Sequence, residues 1–281
     1  MFGKVKSERI LVRKVWNHVI DLRDNFRVSK VRVYSLSRNE KEEIQKFVNE
    51  HLKKGCIRPS KLPQTLLVFF VSKKDGGKHM VMDYRRLNKQ TIKNNYPLPL
   101  ITDLAEFMGN KRVFTKIDLQ WGYNNMRRIK EGDKWKVVFT IYIGSYELVV
   151  MFFGITNLHT TFQGMMNKIL RDMINKGKVA TFVDDVLVGT ETEEGHDEIV
   201  EKVLRRLEEN DLHVKPEKCA WKVQKVNFLG VVIDQGKIEI KENKVVGMLN
   251  WPAPKMVRDV RNFLGLVNYY RRFVKDFAKI V

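Results

Sequence analysis

Apolar residues recur in this chain with two rhythms, period two in short runs and period three to four in longer ones. The first helical stretch opens at Ser37-Arg-Asn-Glu40, a capping-box pattern with acids in its first turn. Ile44, Phe47, Val48 and Leu52 fall on one face, and Lys53, Lys54 and Gly55 close it. Further helices are predicted over residues 100–108, 160–175 and 196–210, with one or two more over 256–280. In the 160–175 stretch Phe162, Met165, Met166, Ile169, Leu170 and Met173 share a stripe, which reads as core rather than as a cofactor box. Alternating runs bounded by turn residues predict hairpins over 66–71 with 79–84, over 136–143 with 146–152 around Gly144-Ser145, and over 226–233 with 237–240 across Asp234-Gln-Gly236. Residues 112–118 alternate as a strand that ends on Asp118. Residues 1–29 form a basic, weakly patterned lead-in, with Trp16 and the run 19–22 as anchors.

The stretch Val179-Ala-Thr-Phe-Val-Asp-Asp-Val-Leu-Val-Gly189 is a short hairpin with Asp184 and Asp185 at its tip, where Asp tolerates left-handed backbone angles. An acidic solvated turn is one reading. The other follows from the apolar flanks: two like charges between Phe182-Val183 and Val186-Leu187-Val188 repel unless a cation neutralises them.

Composition narrows the class. In 281 residues there are 52 Lys and Arg against 33 Asp and Glu, a formal net charge of +19, which points to a polyanionic partner such as nucleic acid. The longest apolar runs, at 66–71 and 148–153, are far too short to cross a bilayer, and no membrane partner is expected. The N-terminus lacks the apolar core of a signal peptide. Cys56 and Cys219 form no CxxC pair, so an intracellular, reducing setting is expected, with neither disulfide framework nor zinc site.

Two weaker features join these. Lys73, Lys74 and Lys78 crowd a Gly-containing hairpin loop, either as a solubilised turn or as a grip on a triphosphate. In the last helical stretch Phe263, Tyr269, Tyr270 and Phe273 alternate with Arg271 and Arg272, which suits a face toward nucleic acid as well as a packed helix with a basic rim. A strand-terminal Asp118, an Asp184-Asp185 tip, a lysine loop and a basic surface are the parts of a two-metal phosphoryl-transfer site. Its carboxylates come from separate elements and hold two Mg²⁺ ions about 4 Å apart. A two-metal nuclease would use similar carboxylates.

From about Val12 onward the chain resembles the reverse transcriptase of gypsy-class LTR retrotransposons, within a Pol polyprotein. The resemblance is carried, in order, by Lys73-Lys74-Asp75-Gly76, Asp83-Tyr84-Arg85-Arg86-Leu87-Asn88, Tyr96-Pro-Leu-Pro-Leu100, Phe114-Thr-Lys-Ile-Asp-Leu119 with Trp121-Gly-Tyr123, and Phe152-Phe-Gly-Ile-Thr-Asn157 with Thr161-Phe-Gln163. Phe182-Val-Asp-Asp185, Lys215-Pro-Glu-Lys-Cys219, Phe228-Leu-Gly230, Trp251-Pro-Ala-Pro254 and the run 263–273 complete it.

The resemblance implies an α+β right hand. Fingers would come from 30–110 and 125–160, a ferredoxin-like antiparallel palm sheet from 111–124 and 161–248, and a partial thumb from 249–281. Asp118, Asp184 and Asp185 would be catalytic and bind two Mg²⁺ ions, with Mn²⁺ as substitute. Lys73, Lys74, Lys78, His79, Tyr123 and Phe153 would meet the nucleotide, Tyr123 excluding a 2′-hydroxyl. Phe228, Leu229 and Gly230 would grip the primer. Partners would be an RNA template, a DNA primer and dNTPs, in the cytoplasm, virus-like particles or nucleus. The chain would be a fragment of the polyprotein. It departs from the family at His79, where Arg is usual, at Met82, where Gln is usual, at Leu158-His159, where a small residue and proline are usual, and by one extra residue at 126–129. The intact Asp118, Asp184, Asp185 and Tyr123 favour an active RNA-directed DNA polymerase, whereas His79, Leu158-His159 and the truncation favour the alternative of a catalytically weakened relic that only binds RNA or DNA.

Overall fold

In the computed structural model the described residues are 17–28, 35–62, 64–72, 78–119, 128–152, 154–235 and 237–281. Helix α1 (Arg38–Lys53) leads into β1 (Ile57–Pro59) and the hairpin β2 (Leu67–Ser72) and β3 (Lys78–Asp83). Helices α2 (Arg85–Gln90) and α3 (Ile101–Gly109) precede β4 (Val113–Asp118), followed by a 3₁₀ turn (Glu131–Val137), β5 (Val138–Ile141) and β6 (Gly144–Leu148). Helices α4 (Leu158–Ile169) and α5 (Arg171–Asn175) lead to β7 (Val179–Phe182), β8 (Asp185–Thr190) and α6 (His196–Glu209). The chain closes with β9 (Ala220–Val223), β10 (Lys225–Phe228), β11 (Val231–Asp234), β12 (Lys237–Ile240), α7 (Glu242–Leu249), α8 (Val257–Tyr269) and α9 (Phe277–Ile280). Contacts divide these elements between two compact units.

The first unit gathers the described residues up to Leu98 with Leu119–Ile169 and Arg205–Lys215. Its antiparallel sheet runs β1-β6-β5, and Leu66 bridges to Phe139 beside it. The capping box at α1 forms as expected: Glu40 N–H donates to Ser37 Oγ at 3.4 Å, and Ser37 N–H donates to Glu40 Oε2 at 2.9 Å. Such a cap contributes about 1 kcal/mol. Ile44 and Val48 are buried, but Leu52, expected on the same face, is exposed, while His51 beside it meets the Phe152 ring at 5.5 Å. The lead-in is anchored through Ile20, which is fully buried: its N–H donates to Asp133 Oδ2 at 2.9 Å and its carbonyl accepts from Lys136 Nζ at 2.6 Å.

Two boundaries differ from the pattern. Gly144 and Ser145 lie inside β6, paired with Ile141 and Thr140, and Tyr142-Ile143 make the turn instead. Gly144 sits at φ +142°, which lets the strand begin at the turn's edge. The predicted single helix over 160–175 is two, broken at Leu170 (φ −105°, ψ 12°). The apolar stripe nevertheless stays inward: Phe162, Met165, Met166, Ile169, Leu170 and Met173 are all buried. Burial of the stripe survives a break in backbone hydrogen bonding because the side chains, not the helix, are what water excludes.

The second unit gathers Pro99–Asp118, Leu170–Leu204 and Pro216–Val281. Its four-stranded sheet has the order β7-β8-β4-β9, all antiparallel. Within this unit β4, α5, β7, β8, α6 and β9 follow as strand, helix, two strands, helix, strand, which is the ferredoxin-like arrangement expected of the palm. A second antiparallel sheet runs β10-β11-β12. The predicted strand over 226–233 is in fact two strands, because Leu229-Gly230 turns the chain back on itself. One core joins both sheets and α3: Ala105, Met108, Phe114, Ala180, Leu187, Val226, Phe228, Val231 and Ile233. Among the described residues no helix is long and apolar enough to cross a membrane, and Cys56 and Cys219 are free thiols.

Candidate active site

Period two on β4 puts Phe114, Lys116 and Asp118 on one face. Phe114 is in the core, so this face runs from the interior out to a half-buried aspartate at the strand's end. Antiparallel register with β8 sets Asp118 directly opposite Asp185. Side chains so paired have Cβ atoms about 4.5–5.5 Å apart, and like charges there are destabilising without a counter-ion. The β7–β8 hairpin closes by pairing Phe182 with Asp185, so Val183 and Asp184 form its turn and Asp185 opens β8. The left-handed residue is Val183 (φ +50°), not an aspartate as expected. A β-branched residue there is strained by about 1–3 kcal/mol, and such strain gathers at functional sites. Val183 is buried, and this burial holds the strained turn. The Oδ1 atom of Asp184 is buried in the turn.

The three carboxylates thus come from a strand end and an adjoining turn, a hard-oxygen donor set of the type that suits Mg²⁺. Among the described residues no group of three or more His, Cys, Asp or Glu side chains stands ready to hold a metal ion. At Asp185 the neighbour is a cation of the chain itself: Lys116 Nζ lies 2.9 Å from Asp185 Oδ1, with side chains 22% and 27% exposed. Alternation alone places Lys116 on the face of Asp118, a signal already present in the motif. Beside them, burial pushes the Cys219 thiol up, partly offset by a hydrogen bond with the Asp118 backbone.

Behind this strand lies a residue that local pattern did not flag. His196, the first residue of α6, is fully buried, with Nε2 2.8 Å from Thr115 Oγ1 and Nδ1 2.8 Å from Thr190 Oγ1. Thr190 donates its hydroxyl to the Thr192 carbonyl at 2.7 Å, so it accepts from Nδ1–H, and Nε2 accepts from Thr115. Thr115 Oγ1 in turn accepts from the Lys222 N–H at 3.1 Å. In the neutral imidazole this network puts the proton on Nδ1, and burial holds the pKa below the ordinary 6.5.

The expected primer grip is a two-residue turn with Leu229 at φ +50° and Gly230 at φ +90° between paired Phe228 and Val231. Both residues being left-handed makes it the turn type that matches strand twist. Phe228 is fully buried in the core shared with Phe114 and Leu187. The Leu229 carbonyl accepts from Tyr269 Oη at 3.1 Å, and the Tyr269 and Tyr270 rings meet edge-on at 4.7 Å. Tyr270, expected to face either nucleic acid or the fold, is buried.

In the first unit, Lys78 and His79 lie on β3 opposite Ser72 and Val71. Lys73, Lys74, Tyr123 and Phe153 lie outside the described residues. The segment after Phe153 is held by two asparagines. Asn88 donates Nδ2–H to the Gly154 carbonyl at 2.7 Å and accepts from the Thr156 N–H at 2.8 Å through Oδ1. Asn157 does the same in reverse, accepting from the Asn94 N–H at 2.9 Å and donating to the Ile92 carbonyl at 2.8 Å. Gly154 sits at φ +102°, and a Cβ there would lie 3.1 Å from the Tyr84 ring. Tyr96 Oη accepts from Asn167 Nδ2, which continues the chain to Gln163. These polar residues were legible as parts of motifs, yet their pairing across more than sixty positions was not.

Known proteins resemble this chain in sequence and in fold. Residues 71–233 match the family model described as "Reverse transcriptase (RNA-dependent DNA polymerase)". The chain is 34% identical over 257 residues to the transposon Tf2-3 polyprotein of Schizosaccharomyces pombe, covering 92% of this chain and 19% of that protein. The chain therefore spans about a fifth of the length of that relative. It superposes with a TM-score of 0.82 on a foamy viral protease–reverse transcriptase in complex with double-stranded DNA, at 25% identity, covering 97% of this chain and 47% of that one. A second foamy viral protease–reverse transcriptase, in complex with an RNA/DNA hybrid, shares the fold with a TM-score of 0.77 at 24% identity, covering 94% and 35%. A match over most of the chain, with the palm topology and the Asp118–Asp185 register in place, has one reading: the chain belongs to the reverse transcriptase (RNA-dependent DNA polymerase) family, in its LTR-retrotransposon branch.

Proposed function

We propose that the chain is an RNA-directed DNA polymerase domain, extending the 3′-hydroxyl of a DNA primer with dNTPs on an RNA template. The observation that carries this reading is the register of β4 against β8, which sets Asp118 opposite Asp185 beside the turn that holds Asp184. These three aspartates would hold two Mg²⁺ ions, or Mn²⁺ in their place. The ions would supply the charge that activates the primer hydroxyl and stabilises the outgoing pyrophosphate.

The other parts have roles on the same reading. Val183 holds Asp184 in a fixed turn. The Leu229-Gly230 turn, packed on the core of β4 and β8, positions the primer end. Asn88 and Asn157 fix the segment that follows Phe153, and Lys73, Lys74, Lys78 and His79 meet the triphosphate. Tyr123 excludes the 2′-hydroxyl. Fingers (30–110, 125–160), palm (111–124, 161–248) and thumb (249–281) divide these tasks. The net charge of +19 supplies the attraction for the template–primer duplex, the kind of ligand that the foamy viral relatives hold.

A second reading, a relic that binds nucleic acid without extending it, is favoured by one observation, the Lys116 ammonium seated on Asp185. Primer extension on an RNA template with Mg²⁺ and dNTPs separates the two. Extension by the chain that disappears in Asp184→Asn establishes the polymerase. Salt-sensitive binding of template–primer with no extension at any Mg²⁺ or Mn²⁺ concentration establishes the relic.

A further inference from the structure

Lys116 lies two residues before Asp118 on the same face of β4 and opposite Leu187, so it is a diagonal neighbour of Asp185. A long side chain spans that diagonal, and its Nζ comes to 2.9 Å from Asp185 Oδ1. Both side chains are about three-quarters buried, so salt and water screen the pair less than they would on the surface. Asp118, Asp184 and Asp185 gather three negative charges at one sheet end, and this ammonium is placed where a cation bound to Asp185 would have to come.

We propose that Lys116 is a built-in counter-cation of the metal site: it occupies Asp185 when no divalent ion is bound and must be displaced when one enters. It therefore sets the metal affinity of the site, and rests on the reading of the three aspartates as metal ligands. The two states share one carboxylate oxygen, so whatever the ion pair contributes to the metal-free fold is subtracted from metal binding. Lys116 is thus a positioning residue with two effects of opposite sign. It stabilises the metal-free protein by relieving repulsion among carboxylates, and it weakens the hold on Mg²⁺ or Mn²⁺. A side chain that merely packs would have only the first.

The test titrates the whole chain with Mn²⁺, following free ion by electron paramagnetic resonance, and records thermal unfolding in EDTA and in saturating Mn²⁺. Lys116→Met, of similar length but uncharged, is expected to tighten Mn²⁺ binding by about two- to tenfold, the range of a partly buried ion pair. In EDTA it is expected to melt below the parent, and its gain in melting temperature on adding Mn²⁺ is expected to exceed the parent's. Lys116→Gln should follow it, and Lys116→Arg, which keeps the charge, should bind Mn²⁺ within about twofold of the parent. Asp118→Asn should abolish the tight site. If binding depends on Asp118 but Lys116→Met and Lys116→Gln leave the Mn²⁺ affinity unchanged or weaker, the counter-cation role is wrong and the metal site stands. If Asp118→Asn binds Mn²⁺ as the parent does, both readings fall together.

Discussion

Thr115 and His196 meet through a 2.8 Å hydrogen bond buried three residues along β4 from Asp118. The imidazole is held neutral, chiefly by burial, with the Lys222 charge acting in the same direction and Asp197 and Glu193 opposing it. A His with a depressed folded pKa binds fewer protons folded than unfolded, so its contribution is full above 6.5 and lost as pH falls below that value. The unfolding midpoint in urea is expected to hold between pH 7 and 8 and to drop below pH 6.5. In His196→Gln the part of the drop in that window should shrink. A profile whose slope below pH 6.5 is the same in both proteins would rule the residue out as its source.

Asn88 ties α2 to the segment 154–156 through one donated and one accepted hydrogen bond. Asn88→Ala removes both, at about 1–2 kcal/mol of stability for partly solvated bonds. The segment follows Phe153, so apparent KM for dNTP should rise more than kcat falls. Equal losses in kcat and kcat/KM with unchanged KM would place the effect in the chemical step instead.

What the sequence displayed was whatever could be settled within a few residues. The Ser37–Glu40 box, the alternation of 113–118 and the two strands of the Asp-Asp hairpin depend on neighbours, and the structure has them. Period two also carried Lys116 on the face of Asp118, but which carboxylate its ammonium reaches depends on the register of β8, some seventy residues away. His196 looked like one scattered histidine because both of its partners lie on other elements. The left-handed residue of the hairpin departs from the pattern for a related reason: propensity favours Asp, and tertiary packing of Val183 overrides it. The break at Leu170 and the turn at Leu229-Gly230 sit inside apolar runs, where hydrophobic pattern is blind to backbone direction.

Tyr269 on α8 donates its hydroxyl to the Leu229 carbonyl at 3.1 Å, tying the last helical segment to the Leu229-Gly230 turn within one unit. Tyr269→Phe keeps the ring and removes that bond, at about 0.5–1.5 kcal/mol. Stability should fall by no more than this, while the dissociation rate of template–primer rises several-fold, because the turn loses its outer support. Fluorescence anisotropy with stopped-flow dissociation checks it, and an unchanged dissociation rate would show that Phe228 and the core alone hold the turn.

Leu158 stands where the family usually has a small residue, and in a decaying copy such a change would be badly accommodated. In the structure Leu158 opens α4, is fully buried, and shares its helix with the inward Phe162, Met165 and Met166. Its neighbour His159 is exposed, so the usual proline has been replaced without filling interior space. If the surroundings have repacked around the larger side chain, Leu158→Ala opens a cavity and costs about 2–5 kcal/mol. If Leu158 is overpacked drift, trimming it relieves strain and leaves the urea midpoint unchanged or higher. The expected outcome is the large loss, with primer extension per folded molecule retained. That combination would mark this departure as compensated change in a working fold, and a stabilised Leu158→Ala would mark it as decay.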